Sequence, residues 1–304
     1  MSASTAISAP KTSRPGPRGP LLKLALRQYR LVALTLLLLA LGAGAQIIHH
    51  YDGWADAIAL RDHVGSQDYH FARYADDAHN MTARLLSDGT LLAFKPALFA
   101  ALITGVLTAR EWETGRVTLA LAQSVSPRRW FTVRWATLAV LVSVPVVALV
   151  ALYRISADHA YRLDLLTYGA ERQNAYFTIG PVTVAYVLLG VAAGAVTATV
   201  LRRTWPTLIA APALTWLLAA LLVRSRAVVL VDFPLSSQVS GYHQGGVLGL
   251  QFYDLLPQDS YLLNSLHSGD YWPYQIASGA VVLAVAALLL LAAFRVLYRR
   301  IARP

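Results

Sequence analysis

The sequence contains no cysteine and few charged residues. Without cysteine, neither a disulfide bond nor a thiolate metal site can form. Charged residues make up 14% of the 304 positions, against 56% hydrophobic residues, and the mean hydropathy is +0.49. These proportions are typical of a protein that lies in a membrane.

Motifs of the common nucleotide-binding and catalytic sites are also missing. No glycine is followed by lysine, so the chain has no phosphate-binding loop of the G-x-x-x-x-G-K-[ST] type. It contains neither a G-x-S-x-G elbow nor an H-E-x-x-H metal motif. We therefore expect that the chain is not an enzyme, does not hydrolyse ATP and binds no cofactor of its own.

Six long apolar runs stand out along the chain. Each approaches the ~20 residues that a helix needs to cross ~30 Å of hydrocarbon. They cover about 31–48, 89–109, 131–153, 177–200, 207–223 and 275–294. The sequence thus predicts an all-α polytopic membrane protein with six transmembrane helices, which form one domain over residues 21–300.

The charges are sorted between the two sides of these six spans. One side comprises both tails, residues 110–130 and 201–206 and two arginines at span ends; it carries 17 Lys+Arg and 2 acidic residues. The other side, 49–88, 154–176 and 224–273, carries 8 Arg and 14 acidic residues. The positive-inside rule then places both termini in the cytoplasm. This sorting also argues against nucleic acid as the partner of a chain with a net charge of +10.

Composition also bears on the cell and on the two tails. Only Lys11, Lys23 and Lys95 are lysines, and arginine supplies the other basic residues, which is typical of a GC-rich bacterial genome and predicts a bacterial plasma membrane. Residues 1–20 are rich in Ser, Pro and Gly and are expected to be a disordered cytoplasmic tail. Residues 21–30 mix Leu with basic residues, as a short amphipathic helix on the inner leaflet would. Residues 301–304 form the end of the other cytoplasmic tail.

The outer loops are too long to be simple turns, so we expect them to be folded. Between 67 and 88, hydrophobic residues recur at steps of three and four, which predicts an amphipathic helix over the outer mouth. The loop 224–273 contains an apolar stretch at 247–257 that is too short to span the membrane and is expected to be re-entrant or interfacial.

All eight histidines fall in or beside the outer loops. Their positions are 49, 50, 63, 70, 79, 159, 243 and 267. Imidazole binds zinc and copper, and His63, His70 and His79 share one loop with several aspartates. Histidine is also common in polar interfacial loops, so a metal site and a purely interfacial role both remain open.

Ionisable residues are almost absent from the spans themselves. Lys95 lies near one end of the second span and Arg134 near the opposite end of the third, and no Asp, Glu or His lies within a span. A transporter driven by protons or sodium ions usually needs such a residue as its relay. The sequence therefore favours an energy source outside the membrane.

The segment between the second and third spans, residues 110–130, holds the only two acidic residues of the cytoplasmic side. Glu111 and Glu113 lie close to Gly115, which is suited to end or bend a helix. Ser126 and Pro127 have the character of a helix start. Two interpretations remain open: the carboxylates bind a basic residue of a partner protein, or they pair with neighbouring arginines.

At this segment the chain resembles the type-2 ABC-transporter permease family, in particular its actinobacterial members. In these proteins the second span runs into A-R-E-x-E-x-G, followed by a Q-S-V-[ST] turn, basic residues and a tryptophan that opens the third span. The matching positions here are Ala109, Arg110, Glu111, Glu113, Gly115, Gln123, Ser124, Val125, Ser126, Arg128, Arg129 and Trp130. The chain departs from the pattern at Arg116, where relatives often have threonine.

The resemblance implies the membrane subunit of an ATP-driven exporter. Two permease copies, identical or different, would sit in the lipid bilayer and bind a dimer of cytoplasmic ATPase subunits, which hold the ATP and Mg²⁺. The 110–130 segment would be the cytoplasmic coupling loop that docks on the ATPase. The residues that the resemblance assigns to this contact are Glu111, Trp112, Glu113, Gly115, Arg116, Gln123, Ser124, Ser126, Arg128 and Arg129.

An amphipathic small molecule, antibiotic or lipid is the cargo that the family implies, and the sequence does not identify it further. Thr183, Tyr186, Thr197 and Thr199 are candidate lining residues, although such side chains more often satisfy helix contacts. Two other classes stay open: a membrane metalloenzyme with a His-rich outer site, and a sensor or assembly subunit that does not transport.

Overall fold

The computed structural model describes residues 29–63, 69–122, 126–162, 179–232 and 271–301. In these ranges the chain is entirely helical, with no strand. The helices are α1 (Arg30–His63), α2 (Tyr69–Glu113), α3 (Arg116–Ala122), α4 (Pro127–Arg162), α5 (Pro181–Leu201), α6 (Thr204–Asp232) and α7 (Tyr271–Ile301).

Six of these helices contain a segment long and apolar enough to cross a membrane. The segments are Arg30–His49, Leu92–Glu113, Pro127–Asp158, Pro181–Leu201, Thr204–Leu222 and Gln275–Arg299. The prediction of an all-α protein with six transmembrane helices is thus confirmed. The second segment runs past the expected end at 109, so both carboxylates of the 110–130 segment lie on the helix itself.

Several predictions fall on parts of the chain outside the described residues. These are the tail 1–20, the amphipathic helix up to residue 28, the stretch 247–257 and the tail after Ile301. Part of the predicted outer helix is described: from Tyr69 onward it is helical and continuous with the second span, so the two form one helix, α2.

Helix α5 lies at the centre of the bundle. Its span is 72% buried, against 6% for the span of α1, and it packs against α2, α4, α6 and α7. Small residues make the contact with α2 possible, because a Cβ atom on Gly190 would clash with the carbonyl oxygen of Ala97, and one on Gly194 with that of Ala101. Close approach through small residues drives helix association in lipid, where the hydrophobic effect gives no advantage.

The polar residues of α5 are buried in this packing. Thr183, Tyr186, Thr197 and Thr199 are all less than 9% exposed. The Thr197 hydroxyl donates a hydrogen bond to the Ala193 carbonyl at 2.9 Å, and the Thr199 hydroxyl donates to a carbonyl one turn back. Contacts within the helix therefore satisfy the hydroxyls of Thr197 and Thr199, and a lining role for the four residues stays a prediction.

Candidate functional site

The 110–130 segment begins as the last turn of α2 and turns sharply at Gly115. This glycine adopts φ = 69°, the left-handed region in which a side chain is strained, and its N–H donates to the Trp112 carbonyl at 3.2 Å. Glycine is the usual residue for ending a helix in this way. The short helix α3 starts at the next residue, so only two residues, Thr114 and Gly115, separate it from α2.

Glu111 is buried at this turn and pairs inside its own chain. Its side chain is 4% exposed, and its carboxylate forms a salt bridge with Arg134 of α4. The Tyr29 hydroxyl donates to Glu111 Oε1 at 3.4 Å and accepts from Arg134 Nη1 at 3.0 Å. These three side chains, which we call the junction triad, connect the residue before α1 with α2 and α4.

The surroundings of the triad compensate for the burial of its charges. The Arg134 guanidinium lies 4.2 Å from the centroid of the Trp130 ring, which is an attractive cation–π geometry. Burial raises the pKa of the Tyr29 phenol above its usual value, although the charge and the hydrogen bond of Arg134 act in the opposite direction. A buried ion pair is tolerated only when further polar contacts satisfy it, and the phenol and the indole ring supply them.

Glu113 forms a second connection, to the start of α6. Its carboxylate accepts from the backbone N–H of Thr204 at 2.7 Å and from the hydroxyl of the same residue. Thr204 is the first residue of α6, where free N–H groups and the helix dipole both favour a negative charge. The end of α2 is therefore attached to the third span through Glu111 and to the fifth through Glu113.

Aromatic rings pack around the turn and hold it against three helices. Trp112 stacks on Phe131 of α4 with ring centroids 6.0 Å apart, and the Arg202 guanidinium lies 4.2 Å from the Trp112 centroid. The cluster continues through Trp135 to Phe294 of α7 at 5.0 Å. The short helix α3 contributes Val117 to the same hydrophobic cluster. The turn is thus packed on the bundle and does not extend as a free loop.

The outward surface of the 110–130 segment is basic. Arg116, Arg128 and Arg129 are exposed, as is Ser126, whose hydroxyl accepts from the Arg129 N–H at 3.4 Å and caps the start of α4. Leu119 of α3 is 64% exposed, whereas Val117, two residues earlier, is fully buried. Gln123 and Ser124 lie outside the described residues.

The structure separates the residues that the sequence assigned to this segment. Glu111 and Trp112 are in the packed interior, Glu113 is exposed but hydrogen-bonded to α6, and the arginines face outward. Glu111 follows the second of the two open interpretations, since its partner is an arginine of the next span. Sequence reasoning did not identify Tyr29, Thr204 or Arg202. Arg202 is a charged residue at the end of a span, and such a position signals that the charge needs a partner. The sequence held no comparable signal for Tyr29 or Thr204.

No cluster of three or more potential metal ligands occurs among the residues whose side chains the structure describes. His63, His70 and His79 lie on α1 and α2, but their side chains are outside that description. The outer histidine site therefore stays a prediction from the sequence.

The comparisons with known proteins give one match. A family model described as "ABC-2 membrane transporter related" matches residues 29–227, which is about two thirds of the chain and includes the junction triad and Thr204. The chain belongs to this family. Separate comparisons with curated proteins and with solved structures returned no match. As a member of the ABC-2 family, the chain is a membrane permease subunit rather than an enzyme, and such subunits generally work with an ATPase partner.

Proposed function

We propose that the chain is the permease subunit of an ATP-binding-cassette exporter for an amphipathic small molecule, antibiotic or lipid. A separate cytoplasmic ATPase dimer binds ATP and Mg²⁺ and docks on the 110–130 segment. The permease works as a homodimer or heterodimer with a second permease chain. It lies in a bacterial plasma membrane, with both termini in the cytoplasm.

The observation that carries this proposal is the attachment of the 110–130 segment to several spans at once. Glu111 connects it to Tyr29 and Arg134, and Glu113 connects it to Thr204. A displacement of the segment by a docked ATPase therefore acts on the first, third and fifth spans together. A rigid, packed turn transmits such a movement, whereas a free loop would absorb it.

The sign of the exposed charges identifies the complementary surface. Both carboxylates are engaged within the chain, while Arg110, Arg116 and Arg128 are exposed, as is Leu119 of α3. We therefore expect the ATPase to present an acidic cleft with an apolar floor for Leu119. Charge complementarity of this kind mainly sets the association rate and the specificity of a complex.

The lipid-facing surface supports a bilayer location and leaves room for a second copy. Large hydrophobic side chains of α1 and α6 are more than half exposed, among them Leu31, Leu38, Ile209 and Leu221. Such a surface is stable in contact with lipid tails or with another apolar helix surface.

The test is to co-purify the tagged chain from its host in mild detergent and to identify a subunit with a phosphate-binding loop. Charge reversal at Arg116→Glu and Arg128→Glu together should reduce the recovery of that subunit about tenfold or more, since two contact charges change sign. The matched control is Arg295→Glu with Arg299→Glu, two exposed arginines at the same end of the bundle but on α7. The control should retain the subunit.

Two results would count against the proposal. Loss of the ATPase in the α7 control, equal to the loss in the segment variant, would mean that overall charge and not this segment governs binding. Recovery of the ATPase without any ATP-dependent movement of cargo in sealed vesicles would assign the chain to a sensor or assembly role.

A further inference from the structure

A groove between the first three spans lies at the end of the bundle opposite to the junction triad. Its volume is about 270 Å³, and α1, α2 and α4 each line it with one helix face. On α2 the lining residues are Leu92, Lys95, Pro96 and Phe99, which recur at steps of three and four. Residues so spaced share one face of a helix, so the groove is a continuous valley between three helices.

The groove has apolar walls and one cation. Among the described residues that line it, Gln46 and Lys95 have the only polar side chains, and no described carboxylate pairs with Lys95. Gln46 lies near the end of the first span and Lys95 near the start of the second, so both are within about one helical turn, 5.4 Å, of the same end of the bundle. The positive charge therefore lies at headgroup depth, and the apolar valley extends from it toward the middle of the membrane.

Two prolines, Pro96 of α2 and Pro145 of α4, lie inside their helices and line the groove. Both proline rings face the groove. They add smooth apolar surface without adding any hydrogen-bond donor, which suits a hydrocarbon chain.

We propose that this groove binds an acidic phospholipid of the bilayer, with one acyl chain in the valley and the phosphate beside the Lys95 ammonium. The lipid's negative charge supplies the partner that the described part of the chain does not give to Lys95. An unpaired charge near hydrocarbon is costly, so an anion at this point is favoured over a neutral headgroup. The inference does not depend on whether the chain transports a cargo.

The size of the groove decides between a lipid chain and a compact ligand. Pockets for drug-sized molecules hold about 300–1,000 Å³ and enclose most of the ligand. The groove, at about 270 Å³, falls below that range and is open along its side to the membrane. It therefore fits one hydrocarbon chain, with the remainder of the lipid lying in the bilayer.

The experiment measures lipid retention on the intact full-length chain by native mass spectrometry. Dioleoylphosphatidylglycerol and dioleoylphosphatidylcholine are offered together, since they share acyl chains and differ in net charge. The wild-type protein should retain the anionic lipid preferentially. Lys95→Gln should lower this preference about fivefold, as expected for one basic residue at an anionic surface. Lys95→Arg should keep it, and so should the control Arg295→Gln at the other end of the bundle.

A second pair of variants tests the groove itself. Ala43 lines the groove, whereas Ala45 lies on another face of the same helix and is also exposed. Ala43→Phe fills the valley and should lower retention of both lipids, while Ala45→Phe should behave as the wild type. An unchanged preference in Lys95→Gln would overturn the proposal, as would equal retention in the two phenylalanine variants. Dissociation of a dimer by Ala43→Phe, with lipid preference intact, would assign the groove to a second copy and overturn it too.

Discussion

Replacing Glu111 by glutamine removes the negative charge of the junction triad while keeping the size of the side chain. The guanidinium of Arg134, whose side chain is 13% exposed, then stays buried without its carboxylate. It keeps the hydroxyl of Tyr29 at 3.0 Å and the ring of Trp130 at 4.2 Å. The substitution therefore tests a charge and leaves the packing in place.

The expected loss follows from the burial of both partners. Removing one member of a buried ion pair costs about 3–5 kcal/mol, because the other charge is left uncompensated. Arg134 keeps further contacts, among them those with the Tyr29 hydroxyl and the Trp130 ring, and these favour the lower end, about 3 kcal/mol. Each 1 kcal/mol lowers the Tm by about 2–4 °C for 150–250 residues and by less in a longer chain, so for 304 residues we expect a fall of about 6 °C or somewhat less for Glu111→Gln.

The assay is a double-mutant cycle on the purified chain, with the Tm followed in detergent. Arg134→Gln alone leaves the Glu111 carboxylate buried and should be at least as damaging as Glu111→Gln. The double variant replaces the pair by two amides, which can hydrogen-bond to each other, so its loss should be clearly smaller than the sum of the single losses. Residues in direct contact typically show such coupling, at about 0.5–3 kcal/mol.

Additivity within about 0.5 kcal/mol would refute the salt bridge as the role of Glu111. A Glu111→Gln variant that keeps the wild-type Tm but loses the ATPase would also refute it, because the carboxylate would then bind the partner protein and not Arg134. Glu113→Gln is the matched control two residues away: Glu113 is exposed, and the amide oxygen can still accept from the Thr204 N–H while the amide nitrogen donates to the Thr204 hydroxyl. Its Tm should change much less.

Two further predictions concern packing and pH. Gly190→Ala puts a methyl group against the Ala97 carbonyl and should destabilise the bundle by about 1–3 kcal/mol, as overpacking does. Gly42 has open space around it, so the control Gly42→Ala should be neutral or stabilising. Thermal melts of the two variants measure the difference. Because burial holds the pKa of Tyr29 above 10.0, the folded protein keeps a proton that the unfolded chain loses, so stability is constant below pH 10 and falls as the pH rises through the folded value. Tyr29→Phe should remove that fall, and an equal alkaline loss in the variant would contradict the assignment.

The sequence was sufficient for the spans because hydropathy over ~20 residues is set by composition alone. It was also sufficient to single out the 110–130 segment, since two acids on a strongly basic side are conspicuous. The sequence marked Gly115 as suited to end a helix but did not show that this helix is α2, because Arg110, Glu111 and Glu113 end the apolar run while the backbone stays helical up to Gly115. Hydropathy marks the edge of the apolar segment and not the end of the helix.

The partners of the two carboxylates could not be predicted for a different reason. Glu111 reaches Tyr29 and Arg134 across sequence separations of 82 and 23 residues, and these contacts depend on the relative rotation and height of three helices. A shift of one helical turn in the height of a helix, or a comparable error in its rotation, would remove the contacts of Glu111. The groove at Lys95 escaped sequence reasoning likewise, since its three helix faces become neighbours only in the packed bundle.

Pairing Glu111 inside the chain changes what this end of the bundle presents to a partner. Arg134 compensates the charge of Glu111 and Glu113 is held at the start of α6, so exposed arginines dominate the outward surface of the segment. A buried pair adds little net stability over apolar packing, yet it fixes a geometry, because each charge tolerates few positions of the other. The triad is therefore better understood as a device that sets the position of the turn relative to the first and third spans. A turn held in this way can move only together with those helices, which is the property that coupling to an external motor demands.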